Sequence, residues 1–519
     1  MALNLALVGL ELERALLRVV LAALFLDRVR LAYQGAVSRE PAEPPPLTGD
    51  DLPRLTVQLP LRNEEFVAER LVHAIAALDW PKDRVEVQIL DTSDDGTCAI
   101  VDRLAEHYRA LGHDMHVLRR PNPEGFKAGS LAYGLQFAKG DYVAVFDADS
   151  VPEPTFLRRL MPHFLADPAV GMVQARWGYL NESENLLTRV QGLLLDSLLA
   201  VEQPVRSRSN EIFQFNGTSG IWSRACLDAA GGWSGRSVTE DRDVSFRALL
   251  AGYRFVHVAG VEVKTELPES MLAYSAQQER WTRGSTELAR TLFWPIVKSD
   301  LPLSDRFDLL KHLARRAIVL FLAIGMFTFP LTTFGTIEPL VDYSVAVDAF
   351  TFGAIVLAVA MVFARARHNL GRSFGGSLAY ALAAVGLYLG TAINTSCALV
   401  AGCFQKEAEF ERTPKVGDSP AGALAVPRYF AKRAPLVVLQ LVVGGAYAWF
   451  TALALRSNLH LHAAFCLFVT WSHLWVGFSG ARELATAAFA KRTSRETSPG
   501  AVAAAARAGE LAARAVRTG

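Results

Sequence analysis

The stretch YVAVFDAD, residues 142–149, decides how the polar part of this chain folds. Its first five residues, all apolar or aromatic, predict a buried strand, and two aspartates follow that strand almost directly. Three further strands are predicted before it: LTVQLP (55–60), VEVQIL (85–90) and MHVL (115–118). Helices are predicted between the strands, at residues 64–78, 97–111 and 127–138. This alternation predicts an α/β domain with a mostly parallel sheet and helices on both faces, which binds ligands where its strands end.

Acidic residues follow two of these predicted strands. Asp147 and Asp149 come after the fourth strand, where their carboxylates suit a hard cation such as Mg²⁺ or Mn²⁺ that also binds a diphosphate. Asp91 begins the turn after the second strand, where it can accept a hydrogen bond from a nucleobase or a ribose. Either pattern alone is also typical of a solvated turn, so the position at strand ends carries the functional interpretation.

A third acidic motif lies at the start of a later predicted helix. Thr239 is placed to cap a helix that runs to about Leu250, with Gly252 beyond its end. Glu240 and Asp241 lie in the first turn, where acidic residues are common for electrostatic reasons alone. The functional interpretation makes Asp241 a general base.

The sequence QQERW at residues 277–281 is the fourth motif. On a helix, Gln277, Arg280 and Trp281 are predicted to share one face. Arg280 could then clamp a diphosphate and Trp281 could stack on a sugar ring. The alternative is an amphipathic helix that places a tryptophan at a membrane interface.

Composition excludes several classes of protein. The 519 residues carry a formal net charge of +1, which argues against binding nucleic acid through a bulk basic surface. Five cysteines are too few for a disulfide scaffold. Hydrophobic residues make up 51% and charged residues 20% of the chain, so a wholly soluble or disordered protein is not expected.

The surplus apolar residues lie after residue 316. Four segments predict transmembrane helices, at residues 317–337, 349–364, 434–455 and 457–481. Residues 373–405 are also free of charge, but Arg and Lys flank them on both sides. We therefore predict an interfacial or re-entrant helix there, with a single span as the alternative. Residues 5–26 are apolar but carry four charges, which fits a marginal span or an amphipathic anchor.

Taken in order, the four motifs resemble those of family-2 glycosyltransferases of the processive, membrane-embedded type, which include cellulose synthases. The family pattern D, DxD, TED, QxxRW is matched by Asp91, residues 147–149, residues 239–241 and residues 277–281. The sequence FERTPK (410–415) is similar to the FxxTxK gating loop of cellulose synthases. Four further segments resemble the cellulose-synthase-like A mannan synthases: GFKAG (125–129), VQARW (173–177), EQ (202–203) and FNGT (215–218).

The resemblance implies an α/β GT-A (Rossmann-like) cytosolic catalytic domain, joined to an α-helical transmembrane bundle with interfacial helices. The chain would be an integral protein of the inner (cytoplasmic) or a Golgi-type membrane. The implied organisation is an N-terminal membrane helix (1–35), a linker (36–53), the GT-A domain (54–267), interfacial helices (268–316), the bundle (317–481) with its interfacial helix (373–405) and gating loop (406–420), and a cytosolic tail (482–519).

The resemblance also implies an inverting transfer from a nucleotide sugar to a growing polysaccharide, dependent on Mg²⁺ or Mn²⁺. Asp241 would take the proton from the acceptor hydroxyl, with Glu240 and Asp149 also catalytic. Asp147 and Asp149 would hold the cation, and Trp281 would stack on the acceptor sugar. The residues expected to bind the nucleotide sugar are Glu64, Asp91, Lys127, Asp147, Gln277, Arg280, Thr413 and Lys415. Lipid bilayer is an expected partner, nucleic acid is not, and export or cell-wall proteins could associate.

Two departures from the family pattern leave the donor open. Arg62 stands where relatives have a tyrosine, in the expected nucleobase pocket, and Thr92 stands where many relatives have a second aspartate. Similarity to mannan synthases suggests GDP-mannose, and UDP-glucose is the alternative. A non-processive enzyme that adds a single sugar to a lipid acceptor is the alternative function.

Overall fold

A computed structural model describes residues 2–37, 44–49, 52–122, 124–334, 341–404, 415, 417 and 431–496. Within these residues, eight strands form one sheet, in the order β3-β2-β1-β4-β7-β6-β8-β5. The strands are β1 (Leu55–Leu61), β2 (Val85–Asp91), β3 (Asp114–Leu118), β4 (Tyr142–Val145), β5 (Val151–Pro152), β6 (Val170–Tyr179), β7 (Gly220–Ser223) and β8 (Arg254–Thr265).

The predicted parallel order is found in the first half of the sheet. Strands β3, β2, β1 and β4 are parallel neighbours, so the residues that follow β1, β2 and β4 lie at one edge. The second half is mixed, because β7 is antiparallel to both β4 and β6, and β5 is antiparallel to β8. The sheet is therefore a GT-A-like mixed sheet rather than a nearly parallel one.

Helices cover this sheet on both faces. The N-terminal helix and those of the polar part are α1 (Ala2–Val37), α2 (Ala68–Ala76), α3 (Thr97–Ala110), α4 (Phe126–Leu135), α5 (Phe156–Leu160), α6 (Pro162–Ala166), α7 (Leu186–Ser197), α8 (Gln203–Arg208), α9 (Arg224–Ala229) and α10 (Glu240–Leu250). Helix α2 buries Ala68, Leu71, Val72 and Ile75, the spacing of an amphipathic helix. Successive residues of β4 alternate between two cores, with Ala144 in one and Val145 in the other.

The remaining helices are long and mostly apolar. They are α11 (Met271–Val297), α12 (Leu303–Ala314), α13 (Ile318–Phe334), α14 (Val341–Asn369), α15 (Ser377–Phe404), α16 (Ala434–Arg456) and α17 (His460–Glu496). Among the described residues, five segments have the length and composition of membrane-crossing helices: Leu303–Leu331, Val347–Asn369, Ser377–Phe404, Ala434–Arg456 and His460–Thr486. Helix α1 is not one of the five.

Several predicted boundaries differ from the structure. Helix α1 runs through Val37, so the segment expected to be a linker from residue 36 begins later. Helix α17 continues to Glu496, well beyond residue 481, because the charged residues that end the apolar run are compatible with a helix outside the membrane. The predicted tail after 496 lies outside the described residues, as do residues 38–43, 50 and 51 of the predicted linker.

Helix α15 is one continuous helix packed among other helices. Arg372, just before it, pairs with Glu182 of the catalytic part at 2.9 Å. Near its other end, Gly402 packs so closely on α11 that an added Cβ would lie 3.0 Å from Thr286. Both ends of α15 therefore contact elements on the catalytic side of the molecule.

Candidate active site

The two aspartates after β4 lie at the carboxyl edge of the parallel strands, as the sequence predicts. The backbone N–H of Asp147 donates to Thr218 Oγ1 at 2.8 Å, and the N–H of Ser219 donates to the carbonyl of Val145 at 2.9 Å. These bonds hold the segment before β7 against the end of β4. The FNGT segment is thereby part of the site.

Lys127, which is predicted to bind the nucleotide sugar, lies between two of the acidic motifs. Its ammonium lies 2.5 Å from Asp147 Oδ1, 2.7 Å from the carbonyl oxygen of Gly217 and 3.5 Å from Glu240 Oε1. Burial alone would lower the pKa of Lys127, but Asp147 and Glu240 outweigh it and raise that pKa. The lysine therefore joins the DxD motif to the TED motif as a permanent cation.

Asp149 is almost fully buried, with 1% of its surface exposed. Its Oδ2 accepts hydrogen bonds from the hydroxyl of Thr265, from the N–H of Glu266 at 2.9 Å and from the ammonium of Lys415 at 2.6 Å. Burial would raise the pKa of Asp149, but these partners, Lys415 first, hold it below its usual value. Within the described part of the chain, its Oδ1 is buried without a hydrogen-bond partner.

That unpartnered oxygen fits a divalent cation. No group of three or more His, Cys, Asp or Glu side chains with metal-binding geometry occurs among the described residues. The protein would therefore supply two carboxylates, Asp149 Oδ1 and the partly exposed Asp147, and leave other positions open. Mg²⁺ commonly binds in this way, through one or two carboxylates plus the phosphates of a substrate.

The described residues of the predicted gating loop are Lys415 and Gly417; Thr413 lies outside them. Gly417 has a φ of +60° and lies against Phe66, so an added Cβ would approach the Phe66 carbonyl oxygen to 2.4 Å. Its N–H donates to Glu266 Oε2 at 3.3 Å. This segment is therefore docked on the catalytic domain next to Asp149.

The TED motif opens α10, as predicted. Thr239 occupies the N-cap position, but its side chain makes no capping hydrogen bond and instead contacts the Ser237 hydroxyl at 3.0 Å. Asp241 follows Glu240 in the first turn and lies beside Gly217. Burial, then the neighbouring Glu240, raises the pKa of Asp241 to about 7, while Lys127 opposes the shift. A carboxylate with such a pKa suits proton transfer near neutral pH.

A cavity of about 760 Å³ begins at Asp241 and extends between the helices of the bundle. Gln277 and Trp281 line it, whereas Arg280, from the same motif, is not among its lining residues. All three residues lie on α11, and two of them line the cavity. Apolar residues of several helices line the cavity, among them Leu17, Leu322, Phe352 and Phe465.

Glu64 and Asp91 lie near the ends of β1 and β2 and do not line this cavity. Asp91 is buried, and its two oxygens accept from Arg119 Nε at 2.9 Å and from the Ser93 N–H at 3.0 Å. Glu64 is buried and close enough to Lys415 to raise the pKa of that lysine. Arg62 is exposed.

Sequence reasoning assigned no role to four of the cavity residues. Gln203 and Asn216 exchange two hydrogen bonds, of 3.1 and 2.9 Å, and both line the cavity. Arg242 and Arg316 line it as well. Gln203 and Asn216 belong to segments that resemble the mannan synthases, and Arg242 directly follows the TED motif. Nothing in the sequence around Arg316 predicts its place in the cavity.

Comparisons with known proteins identify the family of the polar domain. Residues 53–284 match the family model described as glycosyltransferase like family 2. They form a family-2 glycosyltransferase domain. The resemblance inferred from the four motifs is thus confirmed, and the glycosyltransferase domain contains the DxD, TED and QxxRW motifs.

The curated relatives that the chain resembles include two mannosyltransferases of plants. The chain is 37% identical over 294 residues to glucomannan 4-beta-mannosyltransferase 1 of Oryza sativa subsp. japonica, covering 56% of each protein. It is 40% identical over 257 residues to glucomannan 4-beta-mannosyltransferase 2 of Arabidopsis thaliana, covering 49% of this chain and 48% of the relative. The matches thus span about half the length of these relatives.

A solved structure is also similar. A mannosyltransferase from Pyrobaculum calidifontis, in complex with GDP-Man and Mn2+, has 20% sequence identity and a TM-score of 0.48, and the match covers 77% of this chain and all of that one.

Proposed function

We propose that this protein is an inverting, processive β-glycosyltransferase that polymerises a nucleotide sugar into a β-linked mannan or glucan and exports the polymer. The observation that carries the proposal is the cavity that starts at Asp241 and Trp281 and continues between the bundle helices. A growing polysaccharide could be extended at the Asp241 end of the cavity and could pass between the bundle helices towards the other end. The names of the curated relatives favour GDP-mannose as the donor, with UDP-glucose as the alternative.

The donor would bind at the carboxyl edge of the parallel strands. Asp147 and Asp149 would hold Mg²⁺ or Mn²⁺, which supplies positive charge to the diphosphate as it leaves. Arg280 and Gln277 would contact the donor from α11. Glu64 and Asp91 would contact its nucleoside, and Thr413 and Lys415 would close over it.

Acceptor activation is assigned to Asp241. Its carboxylate faces Gly217 and the cavity, and its raised pKa allows it to take a proton from a sugar hydroxyl. The hydroxyl then attacks the donor carbon on the face opposite the diphosphate, which inverts its configuration. Lys127 lies 3.5 Å from Glu240 and lowers the pKa of Asp241. Its positive charge therefore offsets part of the negative charge of these two carboxylates.

Trp281 would bind the acceptor sugar through ring stacking. The indole lines the cavity, and the guanidinium of Arg316 lies 5.6 Å from its ring centroid. A flat aromatic surface at this place can hold successive sugars without a fixed hydrogen-bond pattern, which suits a polymer that moves forward one unit at a time.

We also propose that α15 lies along the cytosolic face of the bundle and does not cross it. The contacts of Arg372 with Glu182 and of Gly402 with α11 support this, because both ends of the helix lie against the catalytic side. The return of Lys415 to Asp149 after α15 agrees with the same topology. The other four apolar segments would then be the spans.

The test uses the full chain in nanodiscs with Mn²⁺ and one radiolabelled donor at a time: GDP-mannose, UDP-glucose, UDP-galactose or UDP-N-acetylglucosamine. We expect GDP-mannose to yield high-mass label that a β-mannanase digests and that EDTA prevents. The Asp241→Asn variant serves as the blank. Label that stays small and extracts into organic solvent would overturn the polymerase and support single-sugar transfer to a lipid. Full turnover in EDTA would show that transfer does not require a divalent cation.

A further inference from the structure

Polar and charged side chains line the part of the cavity that lies among the bundle helices. Glu13 and Arg18 belong to α1, Thr328 to α13 and Asp348 to α14, and all four line the same cavity as Asp241. These four residues are named here the polar belt. Most of the other residues that line this part are apolar. Ionisable groups are costly inside a membrane protein, where they usually mark a pathway or a binding site.

The belt is held together by contacts between helices. Arg18 Nε donates to Asp348 Oδ1 at 2.7 Å, and the Thr328 hydroxyl donates to Glu13 Oε2 at 3.3 Å. The neighbouring Arg14, which also lines the cavity, attracts the Glu13 carboxylate. Two acidic and two basic groups thus balance each other here, so the belt does not require a charged ligand.

This pairing leaves polar surface accessible. The side chains of Arg18 and Asp348 keep 27% and 33% of their surface exposed, and Glu13 and Thr328 are half-buried. A carboxylate has about four lone-pair sites, so Asp348 can accept from a hydroxyl while it remains bound to Arg18. Hydrogen bonds to such ionised groups are stronger than those between neutral groups. The belt can therefore bind a neutral ligand that is rich in hydroxyl groups.

The belt lies well away from the catalytic domain. Arg28 of α1 and Asn369 of α14 both bond to residues of that domain. Arg18 comes ten residues before Arg28, and Asp348 comes 21 residues before Asn369. At a helical rise of about 1.5 Å per residue, these separations are roughly 15 Å along α1 and roughly 30 Å along α14. The belt is thus a site distinct from the one that contains Asp241 and Trp281.

We infer that the polar belt is a second sugar-binding site, which the outgoing polymer contacts through its hydroxyl groups after it has passed Trp281. Every unit of a neutral β-linked mannan or glucan offers hydroxyls that both donate and accept hydrogen bonds. Phe329 and Phe465, whose ring centroids are 4.6 Å apart, line the same cavity and offer apolar surface to the faces of the sugar rings. Helix α1 then forms one wall of the export path. The inference rests on the proposed function, because it concerns the same polymer.

A chemical block in the belt tests this path. Thr328→Cys is made in the full chain, with the exposed Cys397 and Cys403 replaced by alanine, and is labelled in nanodiscs with a bulky maleimide. Phe327→Cys is the matched control, because Phe327 is the adjacent residue, is exposed and does not line the cavity. The labelled parent chain is the reference.

GDP-mannose is the donor and mannobiose the acceptor; if UDP-glucose is the active donor, cellobiose replaces mannobiose. We expect labelled Thr328→Cys to make the first transfer at the rate of the parent chain but to give products at least tenfold shorter. Labelled Phe327→Cys should give products of the same length as the labelled parent chain.

Paired substitutions test the chemistry without leaving an unmatched charge. Arg18→Met combined with Asp348→Leu removes the polar groups of this pair, whereas Arg18→Gln combined with Asp348→Asn keeps groups that bind hydroxyls. Mean product length should fall about tenfold in the apolar double variant and at most about twofold in the polar one. The KM for GDP-mannose and the rate of the first transfer should stay unchanged in both, because the belt is remote from the donor site.

Products of normal length from labelled Thr328→Cys would overturn the inference, because the polymer would then leave by another route. Equal shortening by labelled Phe327→Cys would also overturn it, since that indicates an effect on lipid packing. So would a first-transfer rate that falls together with product length, which indicates a structural role. In all three outcomes the parent chain still makes polymer. If the parent chain makes no polymer from any donor, the proposed function itself fails, and the two failures are thereby distinguished.

Discussion

The ammonium of Lys415 lies 2.6 Å from Asp149 Oδ2, although the lysine belongs to the segment between α15 and α16 and the aspartate follows β4. This ion pair joins the helical part of the chain to the proposed metal site. The lysine occupies one carboxylate oxygen and leaves the other, Oδ1, without a partner among the described residues. Lys415 and a divalent cation would therefore share the charge of one buried carboxylate.

Replacing Lys415 tests whether the lysine competes with the cation. In the donor-free protein, we expect Lys415→Met to strengthen Mn²⁺ binding about tenfold, because a positive charge next to the cation is removed. Transfer should nevertheless become slower, since the loop no longer closes over the nucleotide. Isothermal titration with MnCl₂ measures the first effect and initial rates measure the second. Lys298→Met is the control; weaker Mn²⁺ binding in Lys415→Met would contradict the competition.

Gly417 tests the docking of the same segment. An alanine there would have its Cβ 2.4 Å from the Phe66 carbonyl oxygen and would keep a positive φ that costs roughly 1–2 kcal/mol. We expect Gly417→Ala to lower kcat/KM for the donor about tenfold while the midpoint of thermal unfolding changes little. Gly353→Ala is the matched control, since no atom lies within 4 Å of its added Cβ. Unchanged kinetics would show that docking is not needed for turnover.

Asp241→Asn tests the general base. The amide cannot take the proton of the acceptor hydroxyl, so the rate of transfer should fall by roughly 10²–10⁴-fold. Binding of the donor should persist, measured by titration with GDP-mannose. Asp243→Asn is the control on the same helix, because Asp243 pairs with Arg247 at 2.5 Å and does not line the cavity. Wild-type transfer by Asp241→Asn would refute the assignment.

The pH dependence of the rate follows from the same carboxylate. A general base acts only when deprotonated, and the pKa of Asp241 is raised to about 7, so kcat/KM should rise with pH through about 7 and then level off. The positive charge of Lys127 lowers this pKa, so Lys127→Met should move the rising limb to higher pH. Rates measured between pH 5 and 9 check both expectations. A rate that is already level at pH 5 would indicate an unperturbed carboxylate.

The residue types and order of the site were predictable from local pattern. Asp147 and Asp149 follow a continuous apolar strand, and parallel strands bring their ends to one edge, which is how the structure arranges them. The first four strands and the helices between them were predictable for the same reason, although helix ends differ by a few residues. The antiparallel β5 and β7 were not, because short strands of two and four residues carry little periodicity.

The contacts between distant parts of the chain had no local signal. Nothing in the local sequence indicates that the packing of α4 against the segment before β7 places Lys127 between Asp147 and Glu240. The ion pair of Lys415 with Asp149 depends equally on how distant parts of the chain pack.

By itself, the sequence determined which half of the chain forms a soluble α/β domain, which segments are apolar enough to span a membrane, and which carboxylates stand at strand ends and helix starts. Those properties follow from periodicity and from the chemistry of single side chains. Only the tertiary structure decided which of these charges are paired across the site, because ion pairing depends on distances that separate elements adopt when they pack.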